Sequence, residues 1–328
     1  MKNNIKGTKK LFHVLYFISC EIVFVLLFMV LLVYYGPFNN VRESAVSTIM
    51  GTSSNHYLAT MFLSKSKINS ILEKTDPVFK NAKEDPNKED LNKIIVSNKG
   101  DNDIQIIDIK ENHFTGKLIM IKDPKRITVG LTPYLGHKGA LLREIIQTSK
   151  TIGGINAGGF VDDNLMGTGG NPIGIIINNN KILYQQSGMQ NFNIIGFNNH
   201  DILIVSNNMS LNEIKSSDLR CAVSFGPVLI AGGKPLVAFG GKTLQPRSAI
   251  GQKKDGTVML LAIDGRQLNS KGANYMELQN VLLKYDAYNA ANLDGGSSTT
   301  LIYKEKTINS PADIIGERSI PSAFLITP

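Results

Sequence analysis

Tryptophan is absent from this chain of 328 residues, aromatic residues make up only 7% of it, and there are two cysteines, Cys20 and Cys221. Two cysteines cannot build a disulfide framework, and these two lie in such different contexts that they do not pair. Cys221 is expected to be a small core residue. No CxxC, HExxH or cysteine-histidine spacing suggests zinc. No GxSxG elbow supports a serine hydrolase at Ser297 or Ser298. A basic stripe with interleaved aromatics is also missing, which matters because the formal net charge is +8. Lys2, Lys6, Lys9 and Lys10 supply much of that excess; elsewhere the signs are mixed, as in KNAKEDPNKEDLNK. A nucleic-acid partner is therefore not expected.

Long apolar runs are not lacking. After the four lysines comes LFHVLYFISCEIVFVLLFMVLLVYY, residues 11–35, interrupted only by His13, Ser19 and Glu21. About 20 apolar residues suffice to cross a bilayer core, whereas the apolar core of a cleaved signal peptide runs to only ~7–15. FISC loosely resembles a lipoprotein signal, but the residues after Cys20 stay apolar where a mature lipoprotein would turn polar. The run reads as an uncleaved membrane anchor. Lysines on its N-terminal side place that end in the cytoplasm and the remainder of the chain outside.

The expected organisation is a basic cytoplasmic tail at 1–10, a transmembrane anchor at 11–35, a helical stalk with a charged linker at 36–91, and a folded domain at 92–328. LATMFLSKSKINSILEK carries helical spacing in the stalk. In the domain, short β-like runs predominate: IQIIDI, KLIMI, RITVGL, IGIIINNNKILY, FNIIGF, DILIV, VLIAGGKPLV, RSAIG and VMLLAI. NNNK and AGGK read as hairpin turns. KGALLREIIQTSK and YMELQNVLLKYDAYNA keep a helical period. The fold class is α+β, a mixed β-sheet domain flanked by helices and preceded by one transmembrane helix.

Residues that carry chemistry gather in three places. In GGINAGGFVDDNLMGTGG an apolar strand end meets Asn156, Gly158 and Gly159, glycines that let the backbone approach a ligand. In QPRSAIGQ and LAIDGRQ, Arg247 stands at a strand start, and Asp264 and Arg266 at a strand end. In ANLDGGSSTTL, Asp294 ends a strand, Gly295 and Gly296 remove side-chain bulk beside it, and Ser297 and Ser298 offer hydroxyl and amide donors. For either aspartate the local alternative is a turn that closes the strand.

Taken in order, INAGGF, NPIGIIINNNKI, FGPVLIAGGK, PRSAIGQ, GTVMLLAIDGRQ, MELQNVLLKYDAYNAANLDGGSSTTL and IIGERSIPSAFLITP resemble the phosphodiester glycosidase family over roughly residues 120–328. NAGGF stands where NGGFF-like versions are common, and GGSST where GGGSS-like ones are. The resemblance implies hydrolysis of a sugar joined through its anomeric carbon to a phosphodiester. Such cleavage passes through an oxocarbenium-like state and usually employs two carboxyl groups. Asp264 and Asp294 are the expected pair, with Glu277 a further catalytic candidate. Arg247, Arg266 and Arg318 suit the phosphate, and the amides of the Gly295 to Ser298 turn suit an anion nest. Asn156, Gly158, Gly159, Gly295, Gly296, Ser297, Ser298 and Glu317 complete the substrate-binding set.

No cofactor is required by this chemistry. Asp162, Asp163, Asp264 and Asp294 are nevertheless oxygen ligands of the kind calcium or magnesium takes, so a divalent cation is a secondary expectation. The expected partners are a sugar-phosphate or glycopolymer substrate and the membrane. The alternative function is a non-catalytic protein that binds a sugar-phosphate polymer during envelope or exopolysaccharide assembly.

Overall fold

A computed structural model describes residues 2–50, 56–79, 91–97, 100, 103–161, 168–312 and 316–328, with side chains from residue 12 onward. The chain divides into two compact units, Met1–Asp76 and Pro77–Pro328.

The first unit opens with a helix over Lys2–Tyr35. Its Phe12–Tyr35 portion, 24 residues with a mean hydropathy of 2.7, is long and apolar enough to cross a membrane. Phe17, Phe24 and Leu26 are exposed, so the described residues of this unit leave the apolar surface uncovered. The following helices, Asn39–Met50, Tyr57–Thr60 and Lys65–Thr75, bury Val46, Ala59, Ile68 and Ile71 against one another and against Tyr34. Ile68 and Ile71 lie three residues apart and so share a helix face. Ser64 caps the last helix, its side chain accepting from the Lys67 amide at 3.3 Å. The expected stalk is thus a small helical cluster.

Among the described residues of the second unit, every pairing between strands is antiparallel. A seven-stranded sheet runs in the order Lys234–Pro235, Val228–Ala231, Asn289–Leu293, Arg247–Gln252, Val258–Ile263, Thr115–Ile121, Ile104–Lys110. One five-stranded sheet contains Ile175–Asn178, Lys181–Gln185, Asn191–Asn198, Leu203–Ser210 and Leu219–Val223; the other contains Ile127–Leu131, Gly153–Asn156, Leu301–Tyr303, Lys306–Thr307 and Ser322–Ile326. Val78–Phe79, inside the segment expected to be linker, pairs with Val237–Phe239. Both hairpin signals act as read: Asn179 and Asn180 have φ of 50° and 59°, and Gly232 and Gly233 of 60° and 79°. Two successive left-handed residues match the twist of antiparallel strands.

Side chains alternate across the strands. Ile119 and Ile121 join Ile155, Ile195, Phe197, Ile250, Leu260 and Phe324 in a core shared by the three sheets. Leu118 and Leu261, on the opposite face of the seven-stranded sheet, pack under the helix Tyr275–Lys284 through Leu278, Val281 and Leu282. Helix Leu142–Thr148 covers the second five-stranded sheet through Ile145 and Ile146. Cys221 lies fully buried in the shared core.

Register places the candidate chemistry. Arg247 pairs with Ile263, and Ser248 with Leu293. The start of the central strand therefore lies beside the ends of both its neighbours, and Arg247, Asp264 and Asp294 share one edge of the sheet.

Candidate functional site

Asn156 ends the strand Gly153–Asn156 and is fully buried. Its Oδ1 accepts from the Ser248 hydroxyl at 2.8 Å and from the Thr300 amide at 3.0 Å, and its Nδ2 donates to the Asp294 carbonyl. The Asp294 amide donates in turn to the Ala157 carbonyl at 2.9 Å. Asn156 was expected among the substrate-binding residues; its three side-chain hydrogen bonds are made inside the protein, where it ties the two sheets together at Asp294.

The turn after Asp294 also differs from expectation. The Gly295 amide donates to Asp294 Oδ1 at 3.1 Å, that of Gly296 to the Pro246 carbonyl at 2.9 Å, and that of Ser298 to the Gly295 carbonyl at 3.1 Å. These three amides are committed within the protein, which leaves the Ser297 amide as the candidate donor of this turn. A Cβ on Gly295 would come within 2.9 Å of the Pro246 carbonyl oxygen; Gly296 has φ of 59°, and a Cβ there would sit 3.3 Å from Arg266 Nη2. The two glycines make room for Pro246 and Arg266. Gly158 and Gly159 are likewise packed, against Ser322 and against the Phe225 ring. Ser298 is buried.

Arg266 holds this turn from outside. It is exposed, has φ of 58°, and donates to Ser297 Oγ and to Gln245 Oε1, both at 3.1 Å. A non-glycine residue in that backbone region costs roughly 1–3 kcal/mol and persists where the surroundings impose it, often at functional sites.

Arg247 is 9% exposed. Among the described residues it has one hydrogen bond, from Nε to the Ala273 carbonyl at 3.1 Å, and its guanidinium lies 3.9 Å from the centre of the Tyr275 ring. No carboxylate of the described residues pairs with it. A buried cation without a counter-charge is costly, and an anionic ligand at this sheet edge would offset the cost. Tyr275 and Gln245 were not singled out from the sequence; both flank quoted motifs, and neither residue type signals such a role by itself.

Asp264 is buried at 7% exposure. Its Oδ1 accepts from the Ser310 amide at 2.7 Å and its Oδ2 from the Thr115 hydroxyl at 3.4 Å. Burial raises its pKa above the ordinary aspartate value of 3.8, against the opposing pull of Ser310, Asn309, Thr115 and the Lys117 charge. A carboxyl with raised proton affinity is suited to donate a proton.

Glu277 is not part of this arrangement. It sits in the first turn of Tyr275–Lys284 and forms a capping box, its Oε2 accepting from the Asn274 amide at 2.9 Å while its own amide donates to Asn274 Oδ1 at 3.0 Å. Its Oε1 faces His113 Nε2 at 3.1 Å. A first-turn glutamate in this role is a helix start signal.

Glu317 lines a separate cleft with Arg143, Gln267 and Ser310. Its Oε1 accepts from Arg143 and from the Thr307 hydroxyl. Arg318 lies 4.8 Å from the Phe160 ring. Asp162 and Asp163 fall outside the described residues, and among those described no group of three or more His, Cys, Asp or Glu side chains is placed to hold a metal ion.

The family model described as phosphodiester glycosidase matches residues 149–327, more than half of the chain and all of the site elements from Asn156 to Arg318. The chain belongs to the phosphodiester glycosidase family. An uncharacterized SPbeta prophage-derived protein of Bacillus subtilis is 33% identical over 117 residues, covering 34% of this chain and 18% of that one. N-acetylglucosamine-1-phosphodiester alpha-N-acetylglucosaminidase of Homo sapiens is 39% identical over 70 residues, 21% of this chain and 13% of that one. The chain thus matches less than a fifth of the length of these curated relatives. Among solved structures, the catalytic domain of the zebrafish N-acetylglucosamine-1-phosphodiester alpha-N-acetylglucosaminidase, auto-inhibited by its pro-peptide, superposes with a TM-score of 0.56 at 22% identity over 69% of this chain and 82% of that one. A putative exported protein of Burkholderia pseudomallei gives 0.51 at 16% identity over 66% and 74%. At these identities the structural likeness shows the fold alone.

Two predictions follow from the site's electrostatics. Because the folded chain binds the Asp264 proton more tightly than the unfolded chain does, this group favours folding fully below the unfolded pKa, and the contribution is lost as pH rises through the folded one. Asp264→Asn, which keeps an acceptor for Ser310, is expected to raise the urea midpoint at neutral pH; the advantage should close as pH falls toward 3.8. An unchanged or lowered midpoint at neutral pH contradicts the assignment. Arg247→Gln is expected to weaken inorganic phosphate binding by about tenfold or more, as loss of a charge-assisted contact implies; equal affinity in a calorimetric titration contradicts it.

Proposed function

We propose that this chain hydrolyses the glycosidic bond of a sugar-1-phosphodiester in envelope or exopolysaccharide material, from a membrane-anchored position outside the cytoplasm. The observation that carries the reading is the buried, carboxylate-free Arg247 at the sheet edge it shares with Asp264 and Asp294, in a chain of this family.

In the proposed reaction a water oxygen bonds to the anomeric carbon, the bond from that carbon to the phosphate oxygen breaks, and the leaving phosphate monoester keeps the electron pair. Its charge, more than its protonation, limits the departure, because a phosphate is a far better leaving group than a sugar hydroxyl. Arg247 and Arg266 neutralise it. Asp264 and Asp294 are the proposed carboxyl pair; Asp264, with its raised pKa, takes the proton that the attacking water loses as its O–H bond breaks and passes it on to solvent, and Asp294, fixed by Asn156 and Ala157, faces the sugar.

The exposed apolar helix supports the anchor, and lysines at positions 2, 6, 9 and 10 support a cytoplasmic N-terminus. A substrate for a tethered enzyme outside the cytoplasm is a wall, capsular or lipid-linked sugar phosphate.

The test is release of free sugar from a panel of sugar-1-phosphodiesters by the full-length chain in detergent. Asp294→Asn is expected to lower the rate by roughly 10²–10⁴-fold, the range for loss of an acid-base group, with the urea midpoint retained. Sugar release at the wild-type rate by the variant removes Asp294 from the reaction. Absence of release from every substrate, with polymer binding intact, supports the non-catalytic alternative.

A further inference from the structure

The guanidinium of Arg247 is held at one end and open at the other. Its Nε is spent on the Ala273 carbonyl at 3.1 Å, and the group lies over the Tyr275 ring, 3.9 Å from the ring centre. Among the described residues the two terminal nitrogens have no hydrogen bond, and neither is closed off from solvent. A cation–π contact takes up one side of a guanidinium and leaves its N–H edge free. The place of the Tyr275 ring therefore decides where the remaining N–H groups lie.

That ring is itself held by the segment expected to be linker. Phe79 meets Tyr275 edge to face, with ring centres 5.9 Å apart and an interplanar angle of 63°. Aromatic pairs in this arrangement attract beyond the area they bury. Phe79 belongs to Val78–Phe79, which pairs antiparallel with Val237–Phe239. The latter strand is fastened to the Tyr275–Lys284 helix at two points: the Val237 amide donates to Gln279 Oε1 at 2.8 Å, and the Tyr275 amide donates to the Gly240 carbonyl at 3.2 Å. Tyr275 and Gln279, four residues apart, share one helix face. Phe79 is thus brought to the Tyr275 ring by a hydrogen-bonded frame, and both rings pack against the core under the helix.

Val78–Phe79 lies outside residues 149–327, which the family model matches, and comes just after Asp76, the last residue of the anchor-bearing unit. We propose that Phe79 is a positioning residue for the phosphate: through Tyr275 it holds the Arg247 guanidinium in place, so that the short strand by which the chain leaves the anchor-bearing unit completes the phosphate site. An arginine already ordered gives up less side-chain freedom on binding. The proposal rests on the hydrolytic reading for the identity of the anion, and on the ring geometry for the rest.

The probe is inorganic phosphate, titrated calorimetrically into the full-length chain in detergent, with the urea midpoint measured for each variant. Phe79→Leu and Tyr275→Leu keep apolar bulk and remove a ring; each is expected to weaken phosphate roughly three- to tenfold, the cost of ordering one long side chain on binding. Tyr275→Phe, which keeps the ring, is expected to bind as the wild-type chain does. Coupling separates positioning from a general loss of structure: in an Arg247→Gln chain, Phe79→Leu is expected to weaken phosphate no further, whereas independent effects would add. Unchanged affinity in Phe79→Leu, effects of Phe79→Leu and Arg247→Gln that add, or Tyr275→Phe as weak as Tyr275→Leu overturns the proposal. A wild-type chain that binds no phosphate, or binding untouched by Arg247→Gln, overturns it as well, by taking the anion away from Arg247. The hydrolytic reading is decided separately by release of sugar from sugar-1-phosphodiesters: phosphate binding that depends on both Phe79 and Arg247, without any sugar release, keeps the positioning and removes hydrolysis.

Discussion

The side-chain amide of Asn156 joins three separate pieces of chain at a point where no water reaches: the Ser248 hydroxyl on the central strand, the Thr300 amide beyond the glycine turn, and the Asp294 carbonyl. Both lone pairs of its oxygen and one of its two N–H donors are used. The seven-stranded sheet and one five-stranded sheet meet there, so the direction of the Asp294 side chain, the path of the turn and the placing of Arg266 all depend on it. A buried polar network whose partners come from separate strands specifies one arrangement of them.

Around that fixed point the protein tolerates features that work against folding. Arg247 is buried without a carboxylate partner among the described residues, Arg266 holds a left-handed backbone, and Asp264 is held where its ionised form is disfavoured. Each lies within one strand end of the others. Local costs gathered in one place, with a rigid antiparallel core behind them, are what a site prepared for a charged ligand requires.

Much of this was legible from residue order. Apolar runs bounded by turn residues located most of the strands, and the Asn179-Asn180 and Gly232-Gly233 turns were readable because few residues accept left-handed backbone. Strand ends announced Arg247, Asp264 and Asp294. What single residues would do was less legible, because that depends on which strand lies alongside. Asn156 looked like a ligand contact and is a tie between sheets. Gly295 and Gly296 looked like space for substrate and are space for Pro246 and Arg266. Glu277 looked like a spare carboxylate, and the capping box from Asn274 to Glu277 accounts for it. Sequence spacing carries no information on partners brought from more than a hundred residues away, such as Thr300 for Asn156 or Thr115 for Asp264.

The central claim is that the bond broken lies between the anomeric carbon and the phosphate oxygen, and not between phosphorus and that oxygen. Turnover of a sugar-1-phosphodiester by the full-length chain in heavy-oxygen water tests it directly, with mass spectrometry of both products. The account predicts heavy oxygen in the hydroxyl on the anomeric carbon of the released sugar and none in the phosphate. Label in the phosphate instead would make the chain a phosphodiesterase and contradict the account.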